Sequence, residues 1–376
     1  MKIRSSRTNF DLCYCTNIHP GESWKNVFES LKVNTKKIYE HFPSFEKGIG
    51  LRLSAKAVGE ALKDTQKFKA WLSENNYFIS TINAFPYGDF HQTEVKKNVY
   101  LPDWSQTERV QYTKDIIDFI IAVNTQANCT ISTVPIGWKE DFQDKQKLDC
   151  AVLNLQEITQ YLKEVNRVHK TDITLALEPE PGCYLENTED VLNFFNNILD
   201  PIKLSKESIG ICYDTCHFAV MFEDQISSIQ RIEAAGIKIL KYQISSGLSF
   251  QGTSNDFHKE ISPFIDGVYL HQIAMRDIES NKLIKSYADI DELPRTNEVY
   301  EFRVHFHVPI FMDKLTPFVG TNNFIKEITA YLKKEKKSSL LEVETYTFNV
   351  LPQKYKLESI NDNIKRELEW LQALLN

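Results

Sequence analysis

Short runs rich in β-branched and aromatic residues recur along the whole chain, each followed by a stretch with helical spacing. The runs lie at 9–18, 48–54, 77–85, 129–137, 173–180, 209–214, 237–246 and 338–346. Apolar residues at helical period mark 23–41, 55–75, 105–126, 150–169, 188–199, 223–235, 321–335 and 357–375. Ser23, Ser105 with Glu108, and Thr188 read as helix caps. Strands that alternate with crossover helices run parallel. Eight such units is the number that closes, so the pattern predicts a single α/β domain over 1–376, a (β/α)8 TIM barrel, with an open doubly wound sheet as the competitor.

One connection breaks the rhythm. From Gly247 to about Gly320 the chain runs on after the seventh strand before the next helix. A connection that long usually has a function or structure of its own. We read it as an extended loop insertion with a helix near 257–276 and an extended segment at 301–311.

Composition narrows the function classes. With 376 residues, 42% of them hydrophobic, the chain can bury a large core. A net charge of −7 argues against nucleic acid as a partner, which would favour a basic surface. No run of about 18 apolar residues is present, so no membrane span is expected. "MKIRSSRTNFDLCYC" is too polar for an export signal. The seven cysteines are scattered without a CxxC pair, which suits reduced thiols and a cytoplasmic location.

In a barrel of this kind the reactive groups gather at the C-terminal ends of the strands. Strand five ends in "LALEPEPG", with Glu178 and Glu180 on one face at period two. Strand six ends in "CYDTCH", with Asp214 at its tip and His217 a turn beyond. Asp214 can be a ligand or the cap of the next helix. Strand seven ends in "KYQISS" and offers the neutral amide of Gln243, while strand eight ends in "LLEVETYT" with Glu342 and Glu344. The insertion carries "RVHFHV", in which His305 and His307 alternate with apolar residues and so share one side. Weaker candidates are Asn17 and His19 after strand one, Arg52 near the end of strand two and His91 after strand three.

Carboxylates and imidazoles together make a divalent-metal site, and this donor mix does not separate zinc, manganese, magnesium and iron. The expected ligands are Glu178, Asp214, Gln243, His305, His307 and Glu344, with His217, His91, Arg52 and Glu342 left to face a small-molecule metabolite. A cation there can polarise a hydroxyl and a carbonyl of one substrate. Glu178 and Glu344 can then exchange a proton at the carbon between them. That is isomerisation or epimerisation of a sugar-like compound. The same donors could activate water against a phosphodiester, or hold a metabolite without turning it over. No GxSxG, P-loop or dinucleotide-binding glycine motif is present to support another class.

At these residues the chain resembles the xylose isomerase-like superfamily, which holds sugar isomerases, sugar epimerases and nucleases of the endonuclease IV type. "DTCH" at 214–217 is similar to the nuclease motif, and Glu178 and "ET" at 344–345 are similar to its later glutamates. The resemblance implies metal-binding carboxylates at Glu178, Asp214 and Glu344. The chain departs from that pattern at Gln243, where both branches carry a histidine ligand, and at His305-x-His307, where the nuclease has Asp-x-His. "STVPIGWK" after strand four also lacks the nuclease histidine. These departures point away from a three-metal nuclease site. Longer stretches, "YCTNIHPGESW", "GIGLRLSA", "NAFPYGDFH", "VYLPDW" and "LEVETYT", resemble the EboE-like family of metabolite-traffic proteins. That resemblance implies the same barrel acting on an unidentified small molecule.

Overall fold

The computed structural model describes residues 1–4, 8–44, 46–88, 96–124, 126–265, 270–356 and 359–376. Eight parallel strands occur in chain order as Asn9–Tyr14, Lys47–Arg52, Tyr77–Asn83, Asn128–Thr133, Asp172–Leu177, Ile209–Asp214, Ile239–Ile244 and Ser339–Val343. From the second onward each pairs with the next, and the eighth pairs with the first. The first and second meet at a parallel bridge between Cys15 and Gly50, which brings the circuit round. A short strand, Lys2–Arg4, adds antiparallel to the outside of the first. The α/β barrel expected from the eightfold alternation is therefore the fold of the chain.

Helices pack outside the strands on apolar faces such as Trp24, Val27, Phe28 and Leu31 of the helix Trp24–Tyr39, which Ser23 caps by accepting from the Asn26 N–H. Two other caps fall elsewhere than expected. Gln106 precedes the helix Thr107–Val123 without a side-chain cap, and Asn187, one residue before Thr188, accepts from the Asp190 N–H.

The interior of the barrel is not wholly apolar. Lys241 on the seventh strand donates to Glu342 Oε2 on the eighth at 2.6 Å and to Ser132 Oγ on the fourth at 2.9 Å, and neither charged group is exposed. Gly50 leaves room for this pair: a Cβ there would collide with Glu342 Oε1 and the Tyr14 carbonyl.

The connection after the seventh strand is more ordered than the sequence suggests. It folds as a six-stranded antiparallel sheet, in the order 283–287, 273–276, 299–308, 246–253, 318–320 and 314–315. The helix expected over 257–276 is shorter and earlier. It spans Ser254–Ile261, passes into the 3-10 turn Ser262–Phe264, and gives way to the strand Ile273–Arg276. Pro263 helps explain the stop, since its ring supplies no N–H for a continuing helical ladder.

This sheet lies against the short helix Thr215–Val220 that follows the sixth barrel strand. Arg303 Nη1 donates to the Ala219 carbonyl at 2.7 Å, and its guanidinium sits 4.2 Å from the centre of the Phe222 ring. Gly247 allows the close approach: a Cβ would lie 2.9 Å from both Cys216 Sγ and the Val304 carbonyl. The contact carries the strand Val299–Val308 over the C-terminal mouth of the barrel.

Candidate functional site

A pocket opens at that mouth. Its polar lining includes Glu178, Glu180, Glu344, Asn17, Asn83 and Gln272, together with His217, His305 and His307. The fifth and eighth barrel strands deliver the glutamates, the helix Thr215–Val220 delivers His217, and the insertion sheet delivers the other two histidines.

The three imidazoles meet edge to edge. His305 Nε2 lies 3.1 Å from His217 Nε2 and 3.2 Å from His307 Nε2. Each ring turns its other nitrogen to an acceptor. His217 Nδ1 faces the Pro179 carbonyl at 2.8 Å, His305 Nδ1 faces Gln272 Oε1 at 2.8 Å, and His307 Nδ1 faces the Glu344 carbonyl at 2.9 Å. Carbonyl oxygens only accept, so Nδ1 carries the proton in all three rings. The orientation of the Gln272 amide is fixed in turn, because its nitrogen donates to Glu180 Oε1 and to the Pro181 carbonyl. Burial holds the His305 and His307 imidazoles well below the usual histidine range, His307 at about 4, so both are neutral at pH 7. The Nε2 atoms of the three rings thus crowd together, and the neutral His305 and His307 each present a lone pair there. One proton can bridge one of the two contacts but not both, whereas a single cation satisfies all three nitrogens.

One oxygen of Asp214 caps the next helix, and the other makes no hydrogen bond. Oδ1 accepts from the N–H groups of Cys216 and His217 at 2.7 and 2.9 Å, which caps the helix, and from Ser245 Oγ at 2.6 Å. Oδ2 is buried without a hydrogen-bond partner, 3.8 Å from His217 Nε2 and 4.0 Å from His307 Nε2. Bonds of about 2.0–2.2 Å in a tetrahedral site put neighbouring donor atoms about 3.3–3.6 Å apart. The measured separations bracket that range, so the residues present fit a small divalent ion.

The glutamates stand beside this cluster. Glu344 Oε1 accepts from Asn17 Nδ2 at 2.6 Å and from Asn83 Nδ2 at 3.3 Å. Burial, with Asp214 and Glu342 nearby, pushes its carboxyl up to about 7. Glu178 is raised well above the carboxylate range by burial and by Glu344, and its Oε2 is buried with no hydrogen-bond partner. Glu180 accepts from Tyr100 Oη at 2.7 Å and from Gln272, and so braces the residue that supports His305.

Other residues singled out in the sequence stand apart from the pocket. Arg52 is buried under the loops, donating to the carbonyls of Gly21, Pro86 and Gly88. Glu342 is held by Lys241 inside the barrel. Gln243 lies buried in the interior with its Nε2 unpartnered, and neither it nor Glu342 lines the pocket. His91 lies outside the described residues. Tyr100, Asn83 and Gln272 were not foreseen. Asn83 closes the third barrel strand and could have been found by the rule that found Glu178. Gln272 could not, since it falls in a stretch that reads as helix.

A model of the xylose isomerase-like TIM barrel matches residues 44–276, more than half of the chain. The chain belongs to the xylose isomerase-like TIM barrel family. The match runs through Glu178, Asp214 and His217 but stops short of His305, His307 and Glu344. Among solved structures, the chain is similar to the IolI protein with a bound zinc atom, at 14% identity and a TM-score of 0.51, over 97% of this chain and 98% of that one. It is equally similar to a xylose isomerase domain-containing protein of Salmonella typhimurium LT2, at 13% identity and a TM-score of 0.51, over 100% of this chain and 99% of that one. At these identities the likeness is one of fold. No curated protein matches the chain. No helix among the described residues is long and apolar enough to cross a membrane.

Proposed function

We propose that the chain is a metal-dependent isomerase or epimerase of a sugar-like hydroxycarbonyl metabolite. The observation that carries this reading is the convergence of three Nε2 atoms and the unpartnered Asp214 Oδ2, beside two buried glutamates. His217, His305, His307 and Asp214 would hold the ion, with Glu178 next to it. The zinc of the IolI protein accords with that donor set, although manganese and iron suit it as well. Bound there, a divalent ion supplies Lewis-acid polarisation of a carbonyl and hydroxyl.

The chain's own residues supply the proton transfers. One glutamate removes the proton from the carbon next to the carbonyl. The same proton, or one from the facing glutamate, returns to that carbon for epimerisation, or to the carbonyl carbon for isomerisation while the hydroxyl proton passes to the former carbonyl oxygen, so no atom is gained or lost. A carboxyl near pH 7 is matched to this work, and Glu344 at about 7 meets that condition. Asn17 and Asn83 hold one of its oxygens and leave the other to turn toward substrate. The resemblance to the EboE-like family supports a small metabolite as the substrate. The free thiols, among them six buried cysteines, suit a reducing compartment such as the cytoplasm.

The test is solvent exchange. Protein loaded with zinc or manganese is incubated with small hydroxyketones in deuterium oxide, and deuterium at the carbon beside the carbonyl is followed by NMR. Exchange that disappears in Glu344→Gln supports the assignment. Exchange undiminished in that variant refutes the role of Glu344. A chain that binds metal yet catalyses no exchange would be a binding protein.

A further inference from the structure

The part of the pocket remote from the metal donors has a chemistry of its own. Its wall is made by Phe85, Pro86, Val99, Tyr100, Leu270 and Tyr346. Phe85 stacks on Tyr100 with ring centroids 5.7 Å apart, and Tyr346 lies 4.7 Å from His307, so the apolar wall begins where the metal donors end. Among the described lining residues Lys96 is the sole ammonium or guanidinium, and it lies 3.7 Å from Asp289. Lys97, Asp291 and Glu292 lie in the adjoining groove with it, and Lys97 is 3.2 Å from Glu140. Glu178, Glu180 and Glu344 line the inner end.

A free sugar presents hydroxyls all round and would leave several of them facing rings and aliphatic carbons without partners, which is costly. A phosphate ester would enter a mouth whose two lysines, Lys96 and Lys97, already pair with carboxylates, and no arginine is among the described lining residues to receive it. We infer that the substrate is uncharged and two-sided: a hydroxycarbonyl head at the metal donors, and an apolar ring or branched hydrocarbon against Phe85, Leu270 and Tyr346. This rests on the hydroxycarbonyl reading above for its head group, and it adds the class of the tail.

The test uses three probes with one head and different tails, namely hydroxyacetone, dihydroxyacetone phosphate and 2-hydroxyacetophenone. Binding to the full-length chain is measured by calorimetry, with and without added zinc. The expected order puts the phenyl ketone at least tenfold tighter than hydroxyacetone and the phosphate ester weakest. In Leu270→Asn, whose side chain is only partly buried, the advantage of the phenyl ketone over hydroxyacetone should shrink. A phosphate ester that binds tightest, equal binding of all three, or no binding of any overturns the inference. A phenyl preference that is the same with and without zinc supports the apolar subsite and counts instead against the metal-centred function.

Discussion

Removing the ammonium of Lys241 should strip the barrel of its one internal counter-charge to Glu342. Lys241 Nζ and Glu342 Oε2 are 2.6 Å apart and both side chains are fully buried. At an effective dielectric of about 20, two unit charges at that distance attract by about 6 kcal/mol. Desolvation of the two ions offsets most of that, so the intact pair adds little net stability. Breaking it is different, because the surviving ion stays buried without a partner, at a cost of about 3–5 kcal/mol. Lys241→Met should therefore lose about 3–5 kcal/mol in urea unfolding followed by far-UV circular dichroism, with the slope unchanged. Ser132 Oγ would also lose its donor, which adds to the cost. The double variant Lys241→Met, Glu342→Leu should recover most of the loss, since two apolar groups replace two ions. A Lys241→Met variant within about 1 kcal/mol of the parent would show that Glu342 finds another partner or is neutral. A double variant no more stable than the single one would refute the pairing itself.

Two further outcomes follow from named contacts. Gln272→Leu removes the acceptor that faces His305 Nδ1 at 2.8 Å, and zinc affinity measured against a chromophoric chelator should fall about 10–100-fold; an unchanged affinity would mean that His305 is not a ligand. Glu367, whose Oε1 accepts from Thr345 Oγ1 and the Ile310 N–H, is pushed by burial to about 8 from an ordinary 4.5. The folded chain then keeps a proton that the unfolded chain releases, so this group's contribution is complete below pH 4.5 and declines as the pH rises to about 8. Its slope is at most about 1.4 kcal/mol per pH unit. Glu367→Gln should gain on the parent between pH 5 and pH 8 in urea midpoints, and parallel midpoints across that range would rule the neutral carboxyl out.

The barrel was legible because eight strands each buried on both sides leave unmistakable apolar runs, as in "GIGLRLS" and "ITLALEPE". Position at the strand ends then singled out Glu178, Asp214 and Glu344, all of which come to the mouth or its edge. The insertion was harder to read. His305 and His307 share a side because Val299–Val308 is a strand, as alternation suggested, but nothing in the sequence says that this strand crosses over Thr215–Val220. That crossing makes His217 a partner of the other two histidines rather than a lone substrate contact. Lys241 escaped notice for a related reason. A lysine in a strand reads as solvated, and only the closed barrel shows that it faces Glu342 and Ser132.

The account turns on whether an ion sits between the three imidazoles, and metal analysis of the purified full-length chain addresses it most directly. After exposure to one equivalent of zinc and gel filtration, elemental analysis should find one ion per chain, and the double variant His305→Ala, His307→Ala should retain none. A parent chain that emerges without metal, or a double variant that keeps its full complement, would contradict the proposed centre.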